Sequence, residues 1–217
     1  MTVAVGSGFT VSFEGQADAQ LATRALESLE RASTRIGGVL GIYPLNPIAV
    51  VLYTGEQFRD ITRAPLWAAG AFDGTIRIPM RGALEHATEL DRVLAHEFTH
   101  ALIHALGPRG VPIWLNEGLA AALEREHPLQ PKAPADAPSG QVPLRTLQKS
   151  FRALTGIEAQ RAYATSAFAT QRLIEEAGGV ALANLLRDLA LGVDFETAFA
   201  RRMQRSFSDF QTSLTRP

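Results

Sequence analysis

The segment His96-Glu97-Phe98-Thr99-His100 constrains the fold of this 217-residue chain more than any other segment. It has the pattern H-E-x-x-H and lies in the apolar stretch 93–106, within a predicted helix 89–106 capped by Thr88. Residues four apart on a helix share one face, so the two histidines can bind one metal ion. Glu97 projects beside them, where its carboxylate can reach a water on that ion without being a ligand. The segment therefore predicts a metal-binding helix that needs a third ligand from elsewhere.

Composition decides which ligands and partners are possible. The chain has no cysteine, so any zinc must be bound by histidine and carboxylate side chains. Its net charge of -1 gives no reason to expect nucleic acid or an anionic membrane surface as partner. The sequence has neither a signal peptide nor the ~20 consecutive apolar residues of a membrane helix. We therefore expect a cytoplasmic protein by default, or an exported one if the chain is a domain cut from a longer protein.

Apolar periodicity predicts that the first half combines strands and helices. Residues 9–13 alternate with period two and predict a half-buried strand. The amphipathic spacing over 18–40 predicts a helix that ends near Gly37-Gly38. The apolar run 48–53 predicts a strand covered on both faces, and Thr54 is expected to cap a short helix.

The stretch 68–79 predicts a strand at the edge of the sheet. An Asp-Gly turn precedes its alternating part, and Pro79 cannot donate a ladder hydrogen bond. An edge strand has unpaired backbone groups, so an extended peptide can pair with it as an additional strand. We expect Gly70, Ala71 and Phe72 to bind substrate in this way; the alternative is an edge hairpin without a ligand.

The third metal ligand must come from outside the H-E-x-x-H segment. The histidine six residues after the second one, as metzincins have it, is absent because that position is Leu106. His104 lies a further turn along the face, about 6 Å beyond His100, and three consecutive turns cannot converge on one ion. We expect His104 behind the ligands, beside a cleft or in the core. Glu117 is the better candidate, because its predicted helix 113–125 follows a Gly-Pro turn; the alternative is that it only favours a helix N-terminus.

The second half of the chain is predicted to be helical. Prolines interrupt the pattern over 128–141, and helical spacing then covers 144–150, 157–177, 180–191, 195–201 and 207–214. We predict an N-terminal subdomain 1–127 with the metal helix and the Glu117 helix, a proline-rich loop 128–141, and an all-helical C-terminal subdomain 142–217.

Two motifs together resemble the gluzincin metallopeptidases. The H-E-x-x-H segment, followed by Trp114-Leu115-Asn116-Glu117-Gly118-Leu119-Ala120, is similar to the peptidase MA-like domains of bacteria, in which W-L-x-E-G-x-A carries the glutamate ligand. The stretch 70–79 is similar to the edge strand that lines the cleft, and 162–166 is similar to a Y-A-x-S segment that opens a C-terminal helix. The resemblance covers about residues 8–190.

The resemblance implies an α+β, zincin-like fold: a small mixed sheet with an edge strand and an active-site helix, followed by a helical subdomain. It implies one Zn²⁺ per chain, bound by His96, His100 and Glu117, and a peptide or protein substrate. Glu97 would be the general base that activates water for hydrolysis of the peptide bond. Tyr163 is the candidate donor to the oxyanion, as in several gluzincins; the alternative is an ordinary aromatic residue at a helix start.

Several other polar residues have two interpretations each. Asn116 either caps its helix or orients Glu117, and Asp91 either favours the positive end of its helix or accepts an imidazole N–H. His86 and His127 are expected to be solvated loop residues.

Two other functions remain open on the sequence. One is a degenerate peptidase domain that binds extended peptides or proteins without cutting them. The other is a helical interaction module in which the histidine-rich helix is only part of the core.

Overall fold

The computed structural model of the chain describes residues 2–14, 19–63, 69–80, 87–125, 142–148, 151, 154 and 156–214. The chain divides into two compact units. The sheet unit comprises Met1–Gly38 and Ile42–Ala105, and the helical unit comprises Val39–Gly41 and Leu106–Pro217. Among the described residues, no helix combines the length and the apolar character needed to cross a membrane.

The sheet unit contains one small mixed sheet. Its strands are β1 (Thr2–Gly6), β2 (Phe9–Phe13), β3 (Ile48–Tyr53), β4 (Ala71–Phe72) and β5 (Ile76–Pro79). Within the described residues the order is β1-β2-β3-β5-β4, with parallel pairing of β3 to both β2 and β5 and antiparallel pairing at the two ends. The mixed sheet and the strands at 9–13 and 48–53 are thereby confirmed.

The helices of the sheet unit are α1 (Ala19–Leu40), α2 (Gly55–Thr62) and α3 (Ala87–Ala105). The apolar stripe of α1 is buried, as its spacing predicts. Thr54 caps α2 as predicted: its hydroxyl accepts from the Gln57 N–H at 3.2 Å, and the Gln57 side chain accepts from the Thr54 N–H at 3.0 Å. α3 packs against the sheet through Phe98, whose ring lies edge-on to that of Phe9 at 5.6 Å.

Helix α1 confirms the prediction of a helix over 18–40, and it passes through the glycine pair near which that prediction ended it. The helix continues to Leu40, which is fully buried, and ends before Gly41 at φ +64°. Gly37 serves close packing instead of termination, because a methyl group there would lie 2.7 Å from Cδ1 of the Tyr43 ring. Burial of Leu40 offsets the poor helix propensity of the glycines.

Strand β3 is fully covered on one face only, which corrects the expectation of burial on both. Val50 and Leu52 are buried, whereas Ala49 is exposed and Val51 is half-buried on the other face. A continuous apolar run therefore belongs here to a central strand with one face only partly covered.

The edge strand is β4, and the prediction that Pro79 marks the edge is wrong. β5 pairs with β3 on one side and with β4 on the other, and Pro79 is opposite Tyr53. The proline is tolerated because it is the last residue of β5, and the next N–H, that of Met80, donates to the Tyr53 carbonyl at 2.7 Å.

Strand β1 has no counterpart in the sequence-based prediction. It pairs antiparallel with β2, with Thr2 opposite Phe13. Its valines, Val3 and Val5, are exposed, so the strand has no buried face that periodicity could reveal.

The helical unit contains α4 (Ile113–Leu123), a 3₁₀ turn (Leu144–Thr146), α5 (Gly156–Ala177), α6 (Gly179–Ala190), α7 (Phe195–Met203) and α8 (Phe207–Leu214). The predicted helices α5 to α8 are confirmed. The predicted helix 144–150 is wrong, because only the 3₁₀ turn forms there and residues 149–150 lie outside the described part. Aromatic rings fill the core, and Trp114 stacks on Phe207 at 5.7 Å.

The compact units and the predicted subdomains group α4 differently. The sequence places it with the first 127 residues, whereas the helical unit begins at Leu106 and includes it. The reason is the packing of α4, which buries Trp114 and Gly118 against other helices of that unit. The proline-rich loop 128–141 lies outside the described residues.

Candidate metal centre

Helix α3 presents its histidines beside a buried apolar face. Leu94, Phe98 and Leu102, each four residues apart, are fully buried and fix the orientation of the helix. His96 and His100 are half-buried, and their ring centroids lie 4.9 Å apart at an interplanar angle of 80°. The two imidazoles therefore share one face, as the spacing of four predicts.

The start of α3 lies earlier than predicted. The helix begins at Ala87, so Thr88 is its second residue and does not cap it. Asp91 likewise has a different partner from those expected: its carboxylate binds Arg24 at 2.5 Å and Arg31 at 3.3 Å, both on α1. This ion pair joins α3 to α1, so neither a helix end nor an imidazole is needed to explain Asp91.

Helix α4 carries the acidic ligand candidate within its second turn. The helix starts at Ile113 after Pro112, and the N–H of Asn116 donates to the Pro112 carbonyl at 3.1 Å. Asn116 is therefore inside the helix, and the interpretation of it as the N-cap is wrong. Glu117 is the fifth residue and half-buried, beyond the first turn where an acidic side chain most favours a helix N-terminus.

His96, His100 and Glu117 form a group that could hold a metal ion. One ligand atom from each of them, an imidazole nitrogen or a carboxylate oxygen, lies within 4.8 Å of the others. All three residues are half-buried. For comparison, a four-coordinate ion with bonds of about 2.0–2.2 Å separates its donor atoms by about 3.4 Å.

Glu97 is buried on α3 next to the two histidines, with 7% of its surface exposed. It is not one of the three residues whose ligand atoms converge. Its side chain lies against Gly70, where a methyl group would come within 2.8 Å of Glu97 Oε1.

Strand β4 forms the edge beside α3. Its one strand partner in the described part of the chain is β5, and Gly70, Ala71 and Phe72 are all half-buried. The Phe72 ring lies edge-on to His104 at 5.4 Å and 68°. His104 is exposed, so it is not a core residue and stands with Phe72 at the edge strand.

An ion pair between Arg77 and Asp73 stabilises the face of the β4–β5 hairpin that points away from α3. Arg77, which is opposite Ala71 in the ladder, donates to both carboxylate oxygens of Asp73 at 3.1 and 3.0 Å and to the Tyr53 hydroxyl at 2.6 Å. The hydrogen bond to Asp73 raises the pKa of Arg77 above its ordinary value. The side chains of Asp73, Arg77 and Tyr53 thus stabilise the turn between β4 and β5.

Tyr163 lies further inside its helix than predicted. α5 begins at Gly156, so Tyr163 is its eighth residue and not at the helix start. It is half-buried, and its ring contacts Phe151 edge-on at 5.2 Å. Ser166, in the same Y-A-x-S segment, is fully buried.

Gly118 has a packing role that the sequence did not reveal. A methyl group at this position would lie 2.5 Å from the carbonyl oxygen of Ser166 and would overlap Oγ1 of Thr170, both on α5. The glycine after Glu117 therefore permits the close approach of α4 to α5. The sequence shows the Glu-Gly pair of the motif and predicts the helix 157–177, but it does not show the contact between them.

The remaining histidines, His86 and His127, lie outside the described residues. No protein-family model matches the chain, and no curated protein sequence is significantly similar to it.

Proposed function

We propose that the chain is a zinc-dependent metallopeptidase of the gluzincin type, similar to the peptidase MA-like domains. The proposal rests on one observation above all, the convergence of His96, His100 and Glu117 with Glu97 next to them. Two imidazoles and one carboxylate are a usual protein ligand set for catalytic zinc. The three residues would hold the ion and leave one coordination position open.

Zinc in such a site supplies Lewis acidity, which lowers the pKa of water and polarises a carbonyl oxygen. The chain itself supplies the proton transfer. The Glu97 carboxylate accepts a proton from the attacking water as the new C–O bond forms, and then donates it to the amine nitrogen as the C–N bond breaks. Its burial, with 7% of its surface exposed, supports this role, because a packed side chain is held in one position.

The substrate would be an extended peptide paired with the outer side of β4. Gly70, Ala71 and Phe72 offer backbone groups there, and strand pairing fixes the peptide backbone independently of most side chains. His104, in contact with Phe72, would lie beside the bound peptide. Tyr163 is kept as the proposed donor to the oxyanion, and loss of its hydroxyl in Tyr163→Phe tests that role separately.

The decisive experiment combines metal analysis with digestion of a peptide library. We expect one zinc per chain in the wild type and cleavage of peptides. Glu97→Gln should keep the zinc and lose about 10²- to 10⁴-fold in kcat, because it removes general base catalysis alone. His100→Ala should lose the zinc. His104→Ala is the matched control, a histidine of the same helix outside the ligand group, and should retain it.

Each contrary result points to a different function. Equal turnover by wild type and Glu97→Gln would exclude the proposed mechanism. Zinc binding without any cleavage would favour a peptide-binding domain that does not cut. A protein without zinc, in which His96→Ala costs only stability, would favour the helical interaction module.

A further inference from the structure

The backbone of Gly70 leaves no space for a side chain beside Glu97. A methyl group at Gly70 would lie 2.8 Å from Oε1 and 2.9 Å from Cγ of Glu97, and 2.8 Å from Cγ1 of Val93. Real side-chain carbons do not approach other heavy atoms this closely, so one of the groups would have to move. Two of these three contacts are to the side chain of Glu97.

Close approach is the reason for glycine at this position. The described glycines with positive φ include Gly74, at +98°, but not Gly70. An alanine at Gly70 would therefore not be forced into the left-handed region. The effect of a substitution at Gly70 would come from the added atoms alone.

Strand β4 is fixed against α3 at two points. Gly70 and Phe72 are two residues apart and lie on the same face of an extended segment. They contact Glu97 and His104, which are seven residues apart and therefore two turns along one face of the helix. Gly70 cannot retreat from Glu97 without disturbing the contact of Phe72 with His104.

We propose that Gly70 is a positioning residue for Glu97, which deepens the proposed function and rests on it. The bare Cα of Gly70 forms one wall of the space that the Glu97 side chain occupies. Its packing restricts the position that the Glu97 carboxylate can take. The residue that sequence analysis assigned to substrate binding thus sets the geometry of the general base.

The substitution Gly70→Ala tests this inference. In a crystal structure of the variant, the carboxylate of Glu97 should be displaced from its wild-type position by about 0.7 Å or more, since an atom 2.8 Å away must move to about 3.5 Å. The zinc-loaded variant should lose about 10- to 100-fold in kcat, because a displacement of about 1 Å in a catalytic group costs about 100-fold. KM should stay within about threefold, and zinc content should not change.

Gly38→Ala is the matched control, because it adds the same methyl group to the same unit at a position with no atom within 4 Å. It should leave kcat, KM and the position of Glu97 unchanged. If Gly70→Ala does not fold, Gly70→Ala combined with Val93→Ala removes the contact to Val93 and keeps both contacts to Glu97. That double variant, compared with Val93→Ala alone, should show the same displacement and the same loss of kcat.

Two results would overturn the inference. One is an unmoved Glu97 with KM raised and kcat preserved, which would make Gly70 a substrate contact only. The other is an unmoved Glu97 with both constants preserved. If the wild type cleaves no peptide, the proposed function fails, and the crystallographic position of Glu97 in Gly70→Ala still decides the inference by itself.

Discussion

The sheet unit and the helical unit each place a carboxylate of the candidate centre next to a glycine, but the two glycines have different neighbours. At Gly70 the crowding atoms belong to the side chains of Glu97 and Val93, which can rotate. At Gly118 they include the backbone of Ser166, which moves only with its helix. The same substitution should therefore redirect one side chain in the sheet unit and separate two helices in the helical unit.

Each unit also contains an aspartate that pairs with arginine, at a different depth in each. In the helical unit, Asp188 binds Arg202 through both carboxylate oxygens at 2.8 Å each, and the aspartate side chain is 6% exposed. In the sheet unit, Asp91 lies between Arg24 and Arg31 and its side chain is 28% exposed. Water screens the second arrangement more than the first. Together the glycines and the aspartates indicate that the helical unit tolerates less change.

Gly118→Ala should give the largest loss of stability. The added methyl group meets the Ser166 backbone and the Thr170 hydroxyl, and overpacking of this kind costs about 1–3 kcal/mol, with the rigid neighbour favouring the upper end. A loss of about 3 kcal/mol corresponds to a fall in Tm of about 6–12 °C for a chain of this size. Calorimetry checks the value, and zinc titration should show weaker binding, because displacement of α4 moves Glu117.

The same exchange at Gly38 provides the control for Gly118→Ala. Gly38 lies within α1 with open space around its Cα, so Gly38→Ala should raise stability by about 0.5–1 kcal/mol through helix propensity. A loss of equal size at both positions would show that crowding against α5 is not the cause. Relief of the Gly118→Ala defect by Thr170→Ala should be partial, because the contact with the Ser166 carbonyl remains.

Asp188→Asn should give the second largest effect. The asparagine keeps the size of the side chain but has no charge and a single acceptor oxygen for the guanidinium of Arg202. We expect a loss of about 1–2 kcal/mol, typical of a charge-assisted hydrogen bond in which one partner is removed and the other remains partly solvated. Urea denaturation of both proteins at pH 7 measures the difference.

The difference between the wild type and Asp188→Asn should depend on pH. The hydrogen bond from Arg202 holds the pKa of Asp188 below its usual value. A carboxyl group with a lowered pKa in the folded state stabilises the fold above its unfolded pKa, about 3.9, and loses that contribution as the pH falls through the folded value. The two denaturation midpoints should therefore stay apart from pH 7 down to about pH 4 and converge below it. A constant separation at pH 3 and below would contradict the assignment.

Features that repeat along the chain could be predicted from the sequence. The stripe of α1, the capping box at Thr54 and the pair His96 and His100 each depend on residues within a few positions of one another. The acidic ligand candidate Glu117 could be proposed because its motif follows closely on α3. In all these cases the pattern itself contains both partners of the interaction.

Features that depend on distant partners could not be predicted. Gly118 meets residues 166 and 170 of α5, and Asp91 meets arginines 67 and 60 positions earlier in the chain. Nothing near Gly70 in the sequence shows that its backbone approaches α3. The expectation that Pro79 marks the sheet edge failed for another reason. As the last residue of β5 it breaks no hydrogen bond of the ladder, and β5 can pair on both sides.

Asp91→Asn should give the smallest effect and is the sharpest test of the comparison. Asp91 joins α3 to α1 through Arg24 and Arg31, but water reaches all three side chains. Partly exposed ion pairs contribute about 0.2–1 kcal/mol, so we expect a loss near 0.5 kcal/mol that 1 M salt largely abolishes. Asp188→Asn should keep most of its larger loss in the same salt, because its carboxylate is shielded from solvent. Zinc content and kcat should be unchanged in Asp91→Asn. If that variant instead lost more stability than Asp188→Asn, the ion pair between α1 and α3 would be the stronger of the two. The conclusion that the helical unit tolerates less change than the sheet unit would then be wrong.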